Sequence, residues 1–139
     1  MRLPDLKGTL LGWSIVVVED DAASRDVMVR TLQYVGATVH AASNGRSGYQ
    51  LVRDVHPHLV ISDLSMPEAN GWDLFYMLRD NHLTAHIPII MISADFTAHN
   101  PDALKNLTVL TYLYKPISPA YFVLEILKAL HIDTSLSMK

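Results

Sequence analysis

Glu19, Asp20 and Asp21 follow directly on the run Ile15-Val16-Val17-Val18. A β-branched apolar run bounded by polar residues predicts a buried strand. The end of that strand carries three carboxylates, which repel one another when held close. The same arrangement recurs along the chain. Leu59-Val60-Ile61-Ser62 leads to Asp63, the run Ile87 to Ile92 leads to Ser93, and the run ending Tyr112-Leu113-Tyr114 leads to Lys115. Converging carboxylates accept a hard divalent cation. With no histidine or cysteine in these segments, the donor set favours Mg²⁺ over zinc. An ammonium (Lys115) and a hydroxyl (Ser93) beside such a cation suit a phosphoryl group. Asp63 is then a candidate nucleophile, because a carboxylate can form an acyl phosphate.

The elements that must position these groups alternate. Ser24, Met28, Leu32 and Val35 fall at helical spacing, with Gly36 as a stop. Thr38 to Ala42 reads as a short strand. Tyr49, Leu51, Val52 and Val55 mark a second helix ended by Pro57, and Asn44-Gly45 before it reads as an ordinary loop. Trp72 to Asn81 reads as a third helix. Asn100-Pro101 gives a start signal for a fourth, short helix through Leu107, and Ser118-Pro119 gives one for a last helix over Ala120 to Leu130. Five βα units predict a parallel sheet with helices on both faces and right-handed crossovers. With strand order 2-1-3-4-5, Asp20 and Asp63 flank the crevice where the chain reverses direction, the usual ligand position in open α/β sheets.

The chain has 139 residues, half of them hydrophobic, with a formal net charge of −3 and no cysteine. That is the size of one domain with a real core. Disulfides, thiolate catalysis and cysteine metal sites are excluded. The basic residues are scattered, so no nucleic-acid footprint is expected. The apolar runs are too short for membrane insertion, and residues 1–12 do not resemble a signal peptide, which predicts a soluble, cytoplasmic protein. The histidines read as surface residues. His82 and His86 have helical metal-ligand spacing, but Pro88 and a helix end near Asn81 argue against a site there.

The set Glu19-Asp20, Asp63 with Met66-Pro67 and Gly71 behind it, Ser93-Ala94 and Lys115-Pro116 strongly resembles the receiver domain of two-component response regulators. The resemblance covers residues 14–130. It implies a flavodoxin-like, doubly wound α/β fold, with residues 1–13 as an N-terminal extension, 14–131 as the receiver and 132–139 as a tail. It implies that Asp63 accepts a phosphoryl group from a phosphohistidine on a sensor histidine kinase or histidine phosphotransfer protein. Asp20, Asp63 and the backbone carbonyl of Ser65 would bind Mg²⁺ directly, and Glu19 largely through water. Ser93 and Lys115 would hold the phosphoryl oxygens. Tyr112 matches the aromatic switch position, whose ring turns inward when the serine is drawn to the phosphate. The chain departs from the family pattern at Gly48, where alanine is common, and at 106–111, which lacks a Gly-Ala pair.

The last helix is apolar nearly all round: Phe122, Ile126 and Ala129 are expected to face the sheet, yet Tyr121, Val123, Leu124 and Leu127 are apolar too. Such a helix is buried on more than one side. Either a partner or second copy contacts Tyr121, Leu124 and Leu127, or Leu3, Leu6, Leu10, Leu11 and Trp13 of the N-terminal segment cover it. Only nine residues follow Leu130. The leading expectation is therefore a receiver with no output domain of its own and no conventional enzyme activity. It would signal to a downstream protein, or through a homodimer, by the face built from the fourth helix, fifth strand and last helix. The other classes are a phosphatase-like enzyme with an aspartate nucleophile, a flavin binder, and an interaction module independent of phosphorylation. Three carboxylates after the first strand repel a flavin phosphate.

Overall fold

Each β-branched run does form a strand. The computed structural model describes residues 1–66, 68–94 and 109–133. Strands β1 (Ser14–Val18), β2 (Thr38–Ala42), β3 (Leu59–Asp63), β4 (Ile89–Ser93) and β5 (Val109–Tyr114) form one parallel sheet in the order β2-β1-β3-β4-β5. The central strands β3 and β4 are buried at every position, as a sheet covered on both faces requires. The expected fourth helix at 101–107 with its Asn100-Pro101 start, the segment 106–108, Pro67 and the tail from 134 lie outside the described residues.

The helices start where short polar side chains can satisfy free backbone N–H groups. Asp21 accepts from the Ser24 N–H at 2.9 Å and opens α1 (Ala22–Tyr34). Asn44 accepts from the Ser47 N–H at 2.9 Å and opens α2 (Gly45–Val55). Asn44-Gly45 is thus a cap and first helical residue rather than a loop. The helix has four more residues at its start than the apolar spacing from Tyr49 indicates, because capping, not burial, sets that end. Asn70 and Asp73 form a reciprocal capping box at the head of α3 (Gly71–Asp80). The last helix, α4 (Pro119–Ala129), begins with proline at its first position. At Gly48 a Cβ would come within 2.8 Å of a Val18 methyl, so the departure from alanine lets α2 close onto β1.

Alternate residues of each strand feed two cores. Ile15, Val17, Leu59, Ile61, Ile90 and Ile92 pack under α1 and α4, and Val16, Val18, Val60, Ile89 and Met91 pack under α2 and α3. The first core decides the question raised by the apolar last helix. Leu6 and Leu10 are fully buried in it together with Phe122, Val123, Ile126 and Leu127. Leu3 and Trp13 pack at its margin, while Leu11 is exposed. The Leu10 N–H donates to the Val35 carbonyl at 3.0 Å, and the Thr38 N–H to the Trp13 carbonyl at 2.8 Å, fixing the segment along the foot of the sheet. Leu127 is therefore a core residue, not part of an exposed contact surface. Leu124 is half-buried against the same core, and of the three expected interface residues Tyr121 is the exposed one. His56, His58, His82 and His86 are exposed as expected, but His40 on β2 is half-buried. His82 and His86 lie past the end of α3 and join no metal-ligating group among the described residues.

Candidate functional site

Parallel pairing aligns the carboxyl ends of neighbouring strands, and the site draws on four of the five. Val18 pairs with Ser62, Asp63 with Ile92, and Ser93 with Tyr114. The next residue of β1 is Glu19 and the next after β5 is Lys115, so four side chains from four strands reach one edge. The Lys115 N–H donates to the Ser93 carbonyl at 2.9 Å, and the Lys115–Pro116 bond is cis. Gly71 fits because α3 starts hard against the end of β3: a Cβ there would lie 2.6 Å from the Asp63 carbonyl oxygen.

Glu19, Asp20 and Asp63 each place one carboxylate oxygen within 4.8 Å of the others. Glu19 is fully buried, Asp63 is 5% exposed, and Asp20 faces solvent. Lys115 Nζ lies 2.8 Å from Glu19 Oε1 and 3.0 Å from Asp63 Oδ2. The Ser65 N–H donates to Asp63 Oδ1 at 3.2 Å. Arg25 Nη1 donates to the Glu19 carbonyl at 2.9 Å, holding the turn that carries the acids. Ser93 is buried at the end of β4.

Burial, and then hydrogen bonding with Asp63, push the Glu19 carboxyl up to about 7, against the opposing pull of Lys115. Burial alone would lower the Lys115 ammonium, but its hydrogen bonds to Glu19 and Asp63 outweigh that and raise it. Tyr112 is raised by burial and by the neighbouring Tyr114 and Tyr76. Two buried acids sharing one lysine make a site short of positive charge. Glu19 Oε2 is itself buried with no hydrogen-bond partner among the described residues. Such an oxygen costs free energy unless a cation or ordered water meets it. The donor set, carboxylates at the mouth of a crevice, fits a hard, six-coordinate cation such as Mg²⁺.

The structure thus brings together Glu19, Asp20, Asp63, Ser65, Ser93 and Lys115, as the sequence indicates. Tyr112 stands half-buried on β5, packed against Trp72. Three features escape sequence reading. One is the direct Lys115–Glu19 bond, between residues 96 apart in the chain. The second is Trp72, which lines a recess with Ser65, Met66, Asn70 and Ser93. The third is an apolar groove of about 600 Å³ beside Lys115, walled by Val27 and Met28 of α1 and by Ile117, Pro119 and Phe122. Helical spacing shows Met28 on the inner face of α1, but no local signal tells that the loop before α4 stands off from it.

Comparison with known proteins agrees with this geometry. Residues 15–127 match the model of the response regulator receiver domain family. The chain is 29% identical over 114 residues to the phosphate regulon transcriptional regulatory protein PhoB of Pseudomonas aeruginosa, covering 82% of this chain and 50% of that protein. It is 26% identical over 110 residues to the polar-differentiation response regulator DivK of Brucella ovis, covering 79% of this chain and 89% of DivK. The chain spans about half the length of the transcriptional regulators it matches. Among solved structures, the receiver domain of the sensor histidine kinase PA1611 from Pseudomonas aeruginosa PAO1 superposes with a TM-score of 0.75 at 20% identity, covering 86% of this chain and 98% of that one. That domain was solved with a magnesium ion coordinated in its active-site cleft.

Proposed function

This chain belongs to the response regulator receiver domain family of two-component signalling, and on that premise we propose that Asp63 is its phosphoacceptor. The observation that supports this reading is the convergence of Glu19, Asp20 and Asp63 within 4.8 Å, with Lys115 bonded to two of them. A carboxylate oxygen of Asp63 attacks phosphorus, the bond from phosphorus to the donor's histidine nitrogen breaks, and that nitrogen keeps the electron pair. Asp20, Asp63 and the Ser65 carbonyl would hold Mg²⁺ with Glu19 nearby, and the ion would supply charge neutralisation. Lys115 already lies at bonding distance from Asp63, so its ammonium stands beside the new phosphoryl oxygens, and the Ser93 hydroxyl approaches them from the next strand.

The donor is a sensor histidine kinase or a histidine phosphotransfer protein. Its docking surface is the apolar groove between α1 and the start of α4, which opens beside Lys115. The receiver is a signalling domain rather than a conventional enzyme, and the acyl phosphate is its only covalent intermediate. Output passes through Ser93 and Tyr112 to β5 and α4, and from there to a downstream protein. Among the described residues no helix is long and apolar enough to cross a membrane. The receiver and its phosphodonor meet in the cytoplasm. Incubation with a small phosphodonor and Mg²⁺ should add one phosphoryl group by intact mass, and none to Asp63→Asn. Equal labelling of both proteins would remove the assignment.

A further inference from the structure

Trp72 is the second residue of α3, half-buried, and it touches both sides of the site. On one side its indole lines a recess of about 430 Å³ with Ser65, Met66, Asn70 and Ser93. On the other its ring centroid lies 6.3 Å from that of Tyr112, with the planes 53° apart. The indole is backed by Phe75, which meets it edge-on at 5.6 Å and 81° and is itself fully buried. The Arg79 guanidinium lies 4.9 Å over the Phe75 ring and holds that support in turn. The wall facing Tyr112 is therefore backed by packed side chains. Tyr112 rests on it with its phenol oxygen buried.

We propose that Trp72 is a positioning residue for the switch: its indole is the wall that holds Tyr112 inward, and it thereby sets how tightly the site binds a phosphoryl group. This rests on the reading of Asp63 as phosphoacceptor and of Tyr112 as the ring that moves with Ser93. A tyrosine ring that leaves the inward position loses its contact with the indole, and such aromatic contacts are favourable at this separation. Whatever stabilises the inward state raises the fraction of molecules ready to bind the phosphoryl group. The contact energy at Trp72 therefore appears as affinity at Asp63, although the indole need not touch the phosphoryl group.

The test is a mutant cycle on the full chain, read as the dissociation constant of beryllofluoride, a phosphoryl mimic, by calorimetry in saturating Mg²⁺. Trp72→Leu and Trp72→Met should bind the mimic roughly 2- to 12-fold more weakly than the parent, the range of one aromatic contact. Trp72→Phe, which keeps a ring against Tyr112, should lie within about twofold of the parent. In a Tyr112→Leu background the same Trp72 substitutions should have no further effect, since the contact they remove is already gone. Mg²⁺ affinity without the mimic should be unchanged in every variant, which also reports that each is folded. If Trp72→Leu does not fold, Trp72→Met carries the cycle. Unchanged or tighter binding in these variants, or an equal loss with and without Tyr112, would overturn the proposal. A parent that binds no beryllofluoride would instead remove the phosphoacceptor reading, and this inference with it.

Discussion

Glu19 shows how one buried side chain links charge, metal and pH. Its carboxyl is held near 7, above the ordinary value of 4.5, chiefly by burial. Because the folded value lies above the unfolded one, this group favours the metal-free fold fully below about pH 4.5, and the contribution is lost as pH rises through about 7. A cation needs the ionised form, so it competes with that proton. Mg²⁺ affinity should rise up to about tenfold per pH unit on approach to pH 7 and level off above it. Glu19→Gln should bind Mg²⁺ more weakly and flatten this dependence. Mg²⁺ titrations from about pH 6 to about pH 8 measure it, and a flat profile in the parent would contradict the linkage. The site residues were legible in the sequence because each follows an apolar strand directly, so strand ends and chemistry coincide. Trp72 was not legible: its role depends on Tyr112, which is 40 residues away and reaches it only through sheet topology.

At the scale of elements, strands and helix stops were legible because periodicity and turn residues act locally, whereas the partner of an apolar helix face is set by a distant segment. The sequence left α4 two possible covers, and the burial of Leu6 and Leu10 against Phe122 and Leu127 selects the N-terminal one. Leu6→Ala or Leu10→Ala should then cost about 2–5 kcal/mol, as for other fully buried leucines, measurable by urea unfolding. A loss below about 0.5 kcal/mol, the scale of surface changes, would show that the segment is dispensable. The burial of Leu127 and partial burial of Leu124 also decide which residue tests self-association through α4. Leu124→Lys would place a charge against the core and confound stability with contact, whereas Tyr121→Lys acts at an exposed position. The groove beside Lys115 makes a separate prediction for α1. Val27 is about half exposed there, so Val27→Glu should slow phosphotransfer from a cognate histidine donor at least about fivefold, the effect of one interface residue worth over 1 kcal/mol. Labelling by a small phosphodonor should be unaffected, because no docking surface is needed. Equal slowing of both reactions would place the defect in the site rather than in docking.

For the whole molecule, the acidic edge sets functional need against folding stability. Three carboxylates are drawn within 4.8 Å, and one lysine offsets only part of their repulsion. Like charges held together destabilise the state that holds them, while a cation that binds only the folded state stabilises it by mass action. Near-saturating Mg²⁺, about 100 times its dissociation constant, contributes about 2.7 kcal/mol. For a domain of this size that is an upward shift in Tm of roughly 8–12 °C. Asp20 is the acid to change, since it is exposed and its replacement leaves the core intact. Asp20→Asn should melt higher than the parent without metal, because one repelling charge is gone. It should also show a smaller Mg²⁺-induced shift, because one anionic ligand of a hard cation is gone. Calorimetry on both proteins, with and without Mg²⁺, separates the two effects. An Asp20→Asn protein with a lower metal-free Tm would show that the cluster is not repulsive in the fold, and an undiminished Mg²⁺ shift would show that Asp20 is not a ligand.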